Sequence, residues 1–251
     1  MTTATATTEP RASRGVQLDE IVPFGRSFDE YRRMFKLGHV ELAGRILGCG
    51  DGPAAFNADA TAAGHRVVSC DPIYAFTAEA IAERIDTVLP EMRRQVEANR
   101  DLFLWDHFTN VTGLLNARCD AMDRFLDDYP SGRRAGRYID ASLPNLPFSE
   151  RRFDLAVVSH LLFLYSQQLD ERFHIAALEE LLRVAGEVRV FPLLALDGRP
   201  SPHLPGVLAH FARMDASARI EPVPYEFQRG ANQMLVLHAG PHSPFRGASS
   251  L

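Results

Sequence analysis

Four short segments of the sequence carry residue types that can hold a ligand. The first is Gly48-Cys49-Gly50-Asp51-Gly52, followed at once by Pro53. Alternating glycines let a backbone turn sharply and come within contact distance of a ligand. Pro53 suits the first turn of a helix, whose unpaired N–H groups would face that ligand. The second segment is Asp71-Pro72-Ile73, with Asp71 standing 21 residues after Gly50. A carboxylate at that spacing can accept both hydroxyl protons of a ribose. The third, Asp140-Ala141-Ser142, can accept from an exocyclic amine and exchange hydrogen bonds at a ring edge. The fourth, Ser159-His160, brings an imidazole, which titrates near neutral pH and can serve as a general base. Each has a plainer explanation alone: a tight turn, a cap before Pro72, a carboxylate bonded to its own backbone, a packed histidine. Four such segments in order point to one site.

The hydrophobic pattern supplies elements able to bring them together. Short apolar runs predict strands at 45–47, 66–70, 138–140, 153–158, 187–194, 219–223 and 233–238. The run Phe153-Asp154-Leu155-Ala156-Val157-Val158 reads as a strand buried on both faces. Helical periodicity predicts helices over 27–37, 53–63, 77–99, 112–129, 170–185 and 205–214. Ser27 and Glu30 form a capping box at the first, and Pro90 breaks or kinks the third. The stretch SGRRAGR reads as a loop. Strands alternating with helices give a parallel α/β sheet, and the last two strands, joined without a helix, form an antiparallel hairpin at one edge. The expected fold is therefore a Rossmann-like, seven-stranded, mostly parallel sheet with helices on both faces. A helical insertion at about 86–136 follows the second strand, longer than a plain crossover requires. Residues 1–15 read as a disordered segment, 16–240 as one domain and 241–251 as a loose tail.

Composition narrows the class. The 251 residues include 27 Lys+Arg and 32 Asp+Glu, a net charge of −5, with 46% hydrophobic and 24% charged residues. That is the balance of an ordinary folded chain. Net acidity argues against broad nucleic-acid binding, which needs excess positive charge. The arginine groups 93, 94, 100 and 133, 134, 137 read as solvated faces. Three cysteines, Cys49, Cys70 and Cys119, make neither a zinc nor a disulfide framework, and free thiols fit a reducing cytoplasm. His203, His210, His238 and His242 are too scattered to predict a metal site. No run reaches the roughly 20 apolar residues of a membrane span. No P-loop or GxSxG elbow is present.

The succession ILGCGDG, VVSCDPIY, YIDASLPNLPFSERRFDLAVVSHLLFLY and EELLRVAGEVRVFPLL resembles the class I S-adenosylmethionine-dependent methyltransferases over about residues 40–240. The resemblance implies S-adenosylmethionine as the cofactor. It implies the glycine loop Gly48 to Gly52 beneath the methionine part and ribose, Asp71 with Pro72 and Ile73 at the ribose, and Asp140, Ala141 and Ser142 at the adenine. It implies Ser159 and His160 as the floor of the methyl-donor site. His160 is the candidate base, with simple packing against the donor as its competing role. Phe24 and Tyr31 are the N-terminal residues expected nearest the donor, and Tyr74 and Tyr165 the expected lining of the acceptor pocket. The aromatic knot Phe103, Trp105, His107 and Phe108 reads as a satellite core or a lid. A small-molecule acceptor fits this mixed apolar and aromatic insertion.

The chain departs from the family in three ways, one being the insertion at about 86–136, which is not part of the minimal fold. Ile46 stands where an acidic residue is usual, and that acid often helps to hold the donor's amino group. The aromatic signature that marks many members methylating nucleic acids is missing after the fourth strand. Two other classes remain: a donor-binding protein without catalysis, and a nicotinamide-dependent oxidoreductase, against which Pro53 stands at the third glycine position.

Overall fold

The structure is a computed structural model and describes residues 24–240. The expectations for 1–15, for 16–23 and for 241–251 fall outside those residues. Seven strands form one sheet: β1 (Arg45–Cys49), β2 (Arg66–Cys70), β3 (Tyr138–Ile139), β4 (Phe153–Ser159), β5 (Ala185–Phe191), β6 (Ala216–Pro222) and β7 (Gln233–Ala239). Their order is β3-β2-β1-β4-β5-β7-β6. The first five are parallel, and β7 runs antiparallel between β5 and β6.

Strand alternation divides the core between the two faces. Ile46, Val67, Leu155, Val157 and Val236 point to one face. There they meet α1 (Phe28–Met34), α2 (His39–Ala43) and α3 (Phe56–Ala62) through Tyr31, Met34, Leu42, Phe56 and Ala60. Leu47, Ala156, Val158, Val188 and Leu237 point to the other face. They pack against α6 (Glu171–Val184) and α7 (Leu204–Arg213) through Leu178, Leu181, Leu182, Val207 and Phe211. Both faces are covered, which is why β4 carries an unbroken apolar run.

Between β2 and β3 lie α4 (Ala78–Ala98) and α5 (Val111–Arg134). Ile81, Ile85, Val88, Met92 and Val96 form the buried stripe of α4, and Pro90 is carried within the helix on its exposed side. The stretch expected as an insertion is divided. Toward its C-terminal end α5 packs on β3 through Phe125, Tyr129 and Tyr138, as a crossover helix does, and α4 with 99–110 is the added part.

Several boundaries differ from the sequence expectation. The helix α5 runs on through Pro130 to Arg134, so SGRRAGR is half helix. Tertiary packing at Gly132, whose absent side chain makes room for Tyr138, outweighs the breaker residues. The first helix stops at Met34 rather than near Gly38, because Lys36 takes a left-handed conformation and starts a new turn into α2, a helix the periodicity missed. The expected helix over 53–63 begins only at Phe56. The capping box at Ser27 and Glu30 is formed as expected.

Candidate active site

The sheet order reverses between β1 and β4, and a crevice opens outside the carboxyl ends of strands at such a point. A cavity of about 690 Å³ lies there. That is within the roughly 300–1,000 Å³ of small-molecule sites. Its floor is the set of turns that follow the strands: Cys49 to Gly52 after β1, Asp71 to Ile73 after β2, Ala141 to Leu143 after β3, and Ser159 to Leu161 after β4. Its roof comes from distant segments: Phe24, Arg26 and Tyr31 before and in α1, Met92 and Val96 from α4, and Tyr225 and Phe227 from the β6–β7 connection.

The turn after β1 is shaped by its own aspartate. Gly50 and Gly52 have φ of +69° and +55°, where side chains are strained. Gly48 is glycine for another reason. A Cβ there would lie 1.9 Å from Oδ2 of Asp51, whose carboxylate folds back against the strand. The Tyr31 hydroxyl donates to Asp51 Oδ1 at 2.9 Å and the Ser69 hydroxyl to Oδ2 at 2.6 Å. Asn57 in turn donates to Ser69 at 3.1 Å. Burial pushes the Asp51 carboxyl up to about 7, and the nearby Asp71 charge adds to this, against the two donated hydrogen bonds. Replacing Gly48 by alanine is expected to evict the Asp51 side chain and to lower unfolding stability by about 1–3 kcal/mol, read by urea denaturation. Unchanged stability would mean that the turn relaxes freely.

Asp71 sits at the tip of β2 with both oxygens engaged. Gly52 N–H donates to Oδ2 at 2.9 Å and Ile73 N–H to Oδ1 at 2.8 Å. Asp71 thus ties the two ligand-facing turns together. Burial raises its carboxyl, and the backbone donors only partly offset this. Tyr74 lies outside the cavity lining. Its hydroxyl donates to the Gly52 carbonyl at 2.8 Å, and its ring packs against Phe125, Tyr129 and Tyr138. It supports the glycine turn from below. Tyr165 does line the cavity. Asp140 is exposed and stands outside the lining, whereas Ala141 and Ser142 take part in it.

His160 takes φ +54°, and its N–H donates to the Phe191 carbonyl at 2.7 Å. Its Nδ1 shares a hydrogen bond with the Ser159 hydroxyl at 2.9 Å. Burial, then the charges of Arg26 and Arg118, push the imidazole well below its ordinary range. It is neutral at physiological pH.

A polar network behind the roof was invisible in the sequence. Glu30 and Arg118 are buried to 2% and 1% exposure and pair through two hydrogen bonds of 2.6 and 2.8 Å. The Tyr225 hydroxyl donates to Glu30 at 2.7 Å, and Phe24 and Phe108 flank the Arg118 guanidinium. Burial alone would raise the Glu30 carboxyl; the Arg118 charge and hydrogen bonds outweigh it and hold it far below the usual range. No spacing rule links positions 30, 118 and 225. The aromatic knot packs on Phe227, stacked on Phe103 at 4.7 Å, so it is satellite core and cavity wall together. The surface arginines are engaged locally: Arg94 with Glu91, Arg93 with Glu97, Arg137 with Asp128, and Arg100 over Trp105. Among the described residues no group of three His, Cys, Asp or Glu could hold a metal, and no helix is long and apolar enough to cross a membrane.

A parallel sheet whose last-but-one position is taken by a reversed final strand is the arrangement of the class I S-adenosylmethionine-dependent methyltransferases, and this chain has that fold. No protein-family model matches the chain. The uncharacterised protein MJ0045 of Methanocaldococcus jannaschii is 33% identical over 225 residues, which cover 89% of this chain and 99% of that protein. The chain belongs to the same family as that protein. Solved structures with a similar course include the pyocyanin biosynthetic protein PhzM, 15% identical with a TM-score of 0.45. The match covers 84% of this chain and 54% of PhzM, so the chain spans about half of PhzM's length. The methyltransferase domain of bacterial CtHen1-C is 13% identical with a TM-score of 0.45, over 85% of this chain and 99% of that one. A possible histamine N-methyltransferase of Thermotoga maritima is 11% identical with a TM-score of 0.40, over 84% and 86%.

Proposed function

We propose that this protein transfers the methyl group of S-adenosylmethionine to a small-molecule acceptor held in the cavity above β1 and β4. The observation that carries this reading is the convergence of four strand-end turns on one cavity, with the Asp71 carboxylate beside the glycine turn. The residues fit the donor in kind. The carboxylate oxygens of Asp71 keep lone pairs for ribose hydroxyls beyond the two backbone donors. Ala141 and Ser142 offer a ring-edge contact for adenine.

A bound donor supplies a sulfonium methyl already activated for in-line displacement. The protein's part is then to align the acceptor and exclude water. The apolar roof of Phe24, Met92, Val96, Leu114 and Phe227 serves both ends. A cavity of about 690 Å³ with an apolar roof suits a small acceptor better than a macromolecule. We assign His160, which lines the cavity and shares a hydrogen bond with Ser159, as the base for an acceptor that must lose a proton; burial and the charges of Arg26 and Arg118, which disfavour its protonation, make it a weak one.

Calorimetric titration with S-adenosylmethionine, S-adenosylhomocysteine and NAD tests the reading. Binding of the adenosyl compounds alone supports it, and binding of NAD alone refutes it. His160→Ala is expected to lower turnover about a hundredfold or more while the donor affinity stays unchanged. Loss of donor affinity instead would make His160 part of the floor only.

A further inference from the structure

We propose that the acceptor is an aromatic hydroxyl compound, a phenol by chemical class, methylated on oxygen. Its ring lies against the aromatic wall that runs from His160 through Phe191 to Tyr225, and its hydroxyl lies in the field of Arg26. The inference rests on the donor reading above and names the acceptor that the same cavity takes.

The wall comes from the antiparallel side of the sheet. β5 ends at Phe191, Tyr225 and Phe227 stand in the β6–β7 connection, and all three line the cavity together with His160. The rings meet in series. His160 stands edge-on to Phe191 at 5.4 Å, and Phe191 edge-on to Tyr225 at 5.8 Å. Phe227, two residues further on, is stacked on Phe103 at 4.7 Å. Edge-on and stacked pairs are the favourable arrangements of aromatic rings. The wall is also held in place. Glu30 takes the Tyr225 hydroxyl, and Leu104 N–H donates to the Phe227 carbonyl at 2.7 Å. A flat ring loses little freedom on meeting a wall that is already fixed.

Charge decides which polar group that ring carries. Two buried guanidiniums, Arg26 and Arg118, stand against one carboxylate, Glu30. Arg118 holds Glu30 through two hydrogen bonds, and Arg26 feels only its charge. Arg26 lines the cavity. One of its nitrogens donates to the Phe24 carbonyl at 3.2 Å, and its Nε is sealed from solvent with no hydrogen-bond partner among the described residues. The titratable and charged groups around it are Arg118, Tyr225, Glu30 and Tyr31. An ammonium acceptor entering here meets an excess of positive charge. An oxygen that gains negative charge as it loses its proton is stabilised by the same excess.

The base points the same way. The charges of Arg26 and Arg118 reach His160 as well, and with burial they keep its ring neutral. A weak base removes only a fairly acidic proton. Phenols ionise near about 10, as tyrosine does. Aliphatic hydroxyls lie on the side of water, at about 15.7. The field that weakens the base thus strengthens this acid. In the transfer the acceptor oxygen gives its proton to the His160 ring nitrogen that Ser159 leaves open. The oxygen's electron pair forms the new O–CH3 bond, and the electrons of the broken S–CH3 bond stay on sulfur as a thioether.

The test needs no turnover and uses three probes. They are 4-nitrophenol, whose ionised form absorbs visible light; 4-nitrobenzylamine, a cation on the same ring; and cyclohexanol, a saturated hydroxyl. By calorimetry the wild type is expected to bind 4-nitrophenol, and the other two about tenfold or more weakly. Bound 4-nitrophenol should ionise about one pH unit or more below the free compound, read from its absorbance. R26Q should lose that displacement. F227L should keep it and bind the probe about twofold to tenfold more weakly. Saturating S-adenosylhomocysteine should leave the displacement in place. Equal binding of the three probes overturns the proposal, and so does a wild-type midpoint that stays put or rises, a readout that stands even if R26Q fails to fold. A displacement that R26Q retains overturns it as well. One that S-adenosylhomocysteine abolishes also overturns it, because Arg26 then belongs to the donor. A wild type that binds no S-adenosylhomocysteine overturns the donor reading itself.

Discussion

Replacing Asp71 with alanine is expected to weaken S-adenosylhomocysteine binding about tenfold to a hundredfold, equivalent to roughly 1.5–3 kcal/mol for one charge-assisted hydrogen bond. The upper end is the better guide, because Asp71 does two things. In the proposed site it receives the ribose hydroxyls. It also holds the Gly52 and Ile73 N–H groups at 2.9 and 2.8 Å, and so fixes the turns on either side. Alanine removes the acceptor and frees both turns. Asn keeps one oxygen and should fall between wild type and alanine. Calorimetric titration of the three proteins, with thermal unfolding alongside, checks the order. Equal affinity in all three would remove Asp71 from the site.

Glu30→Ala should be the most damaging single change to stability. It leaves the Arg118 guanidinium at 1% exposure with its bidentate partner gone. Removing one member of a buried pair costs about 3–5 kcal/mol. For a chain of this size that is a fall of roughly 6–20 °C in melting temperature. Removing the Arg118 charge as well, in Glu30→Leu with Arg118→Met, should restore much of the loss, because no unpaired charge then remains. Urea unfolding of the single and double variants measures both effects. A single-variant loss under about 1 kcal/mol, the level of an exposed pair, would mean that water reaches the site. The pH dependence has a fixed sign. Glu30 is depressed in the folded protein, so its contribution is whole above its unfolded value near 4.3 and is lost as the pH falls below that. Between pH 5 and 8 the pair should not change stability.

How far the sequence could be read depended on the range of the interaction. The strand-end turns and the hairpin order follow from local patterns: glycine spacing, apolar runs, the Ser27–Glu30 box. The helix at His39–Ala43 was missed because five residues show no period, and the extension through Pro130 because packing overrode a breaker. Glu30 was read correctly as a cap and incompletely as a residue, since the same carboxylate also holds Arg118 and Tyr225. Asp51 was recognised within the glycine turn, yet only the folded-back side chain shows it on the face of Ile46.

The Glu30 network also orders events in time. Glu30 meets Arg118 across 88 positions and Tyr225 across 195. A chain leaving the ribosome presents its N-terminal part first, at roughly 5–20 residues per second. Until position 225 emerges, the segment around Arg26 and Tyr31 lacks a clasp that fixes the roof. The strand β7, which enters between β5 and β6, arrives later still. The roof of the cavity therefore closes only after Tyr225 and β7 have been made, about 200 positions behind Glu30.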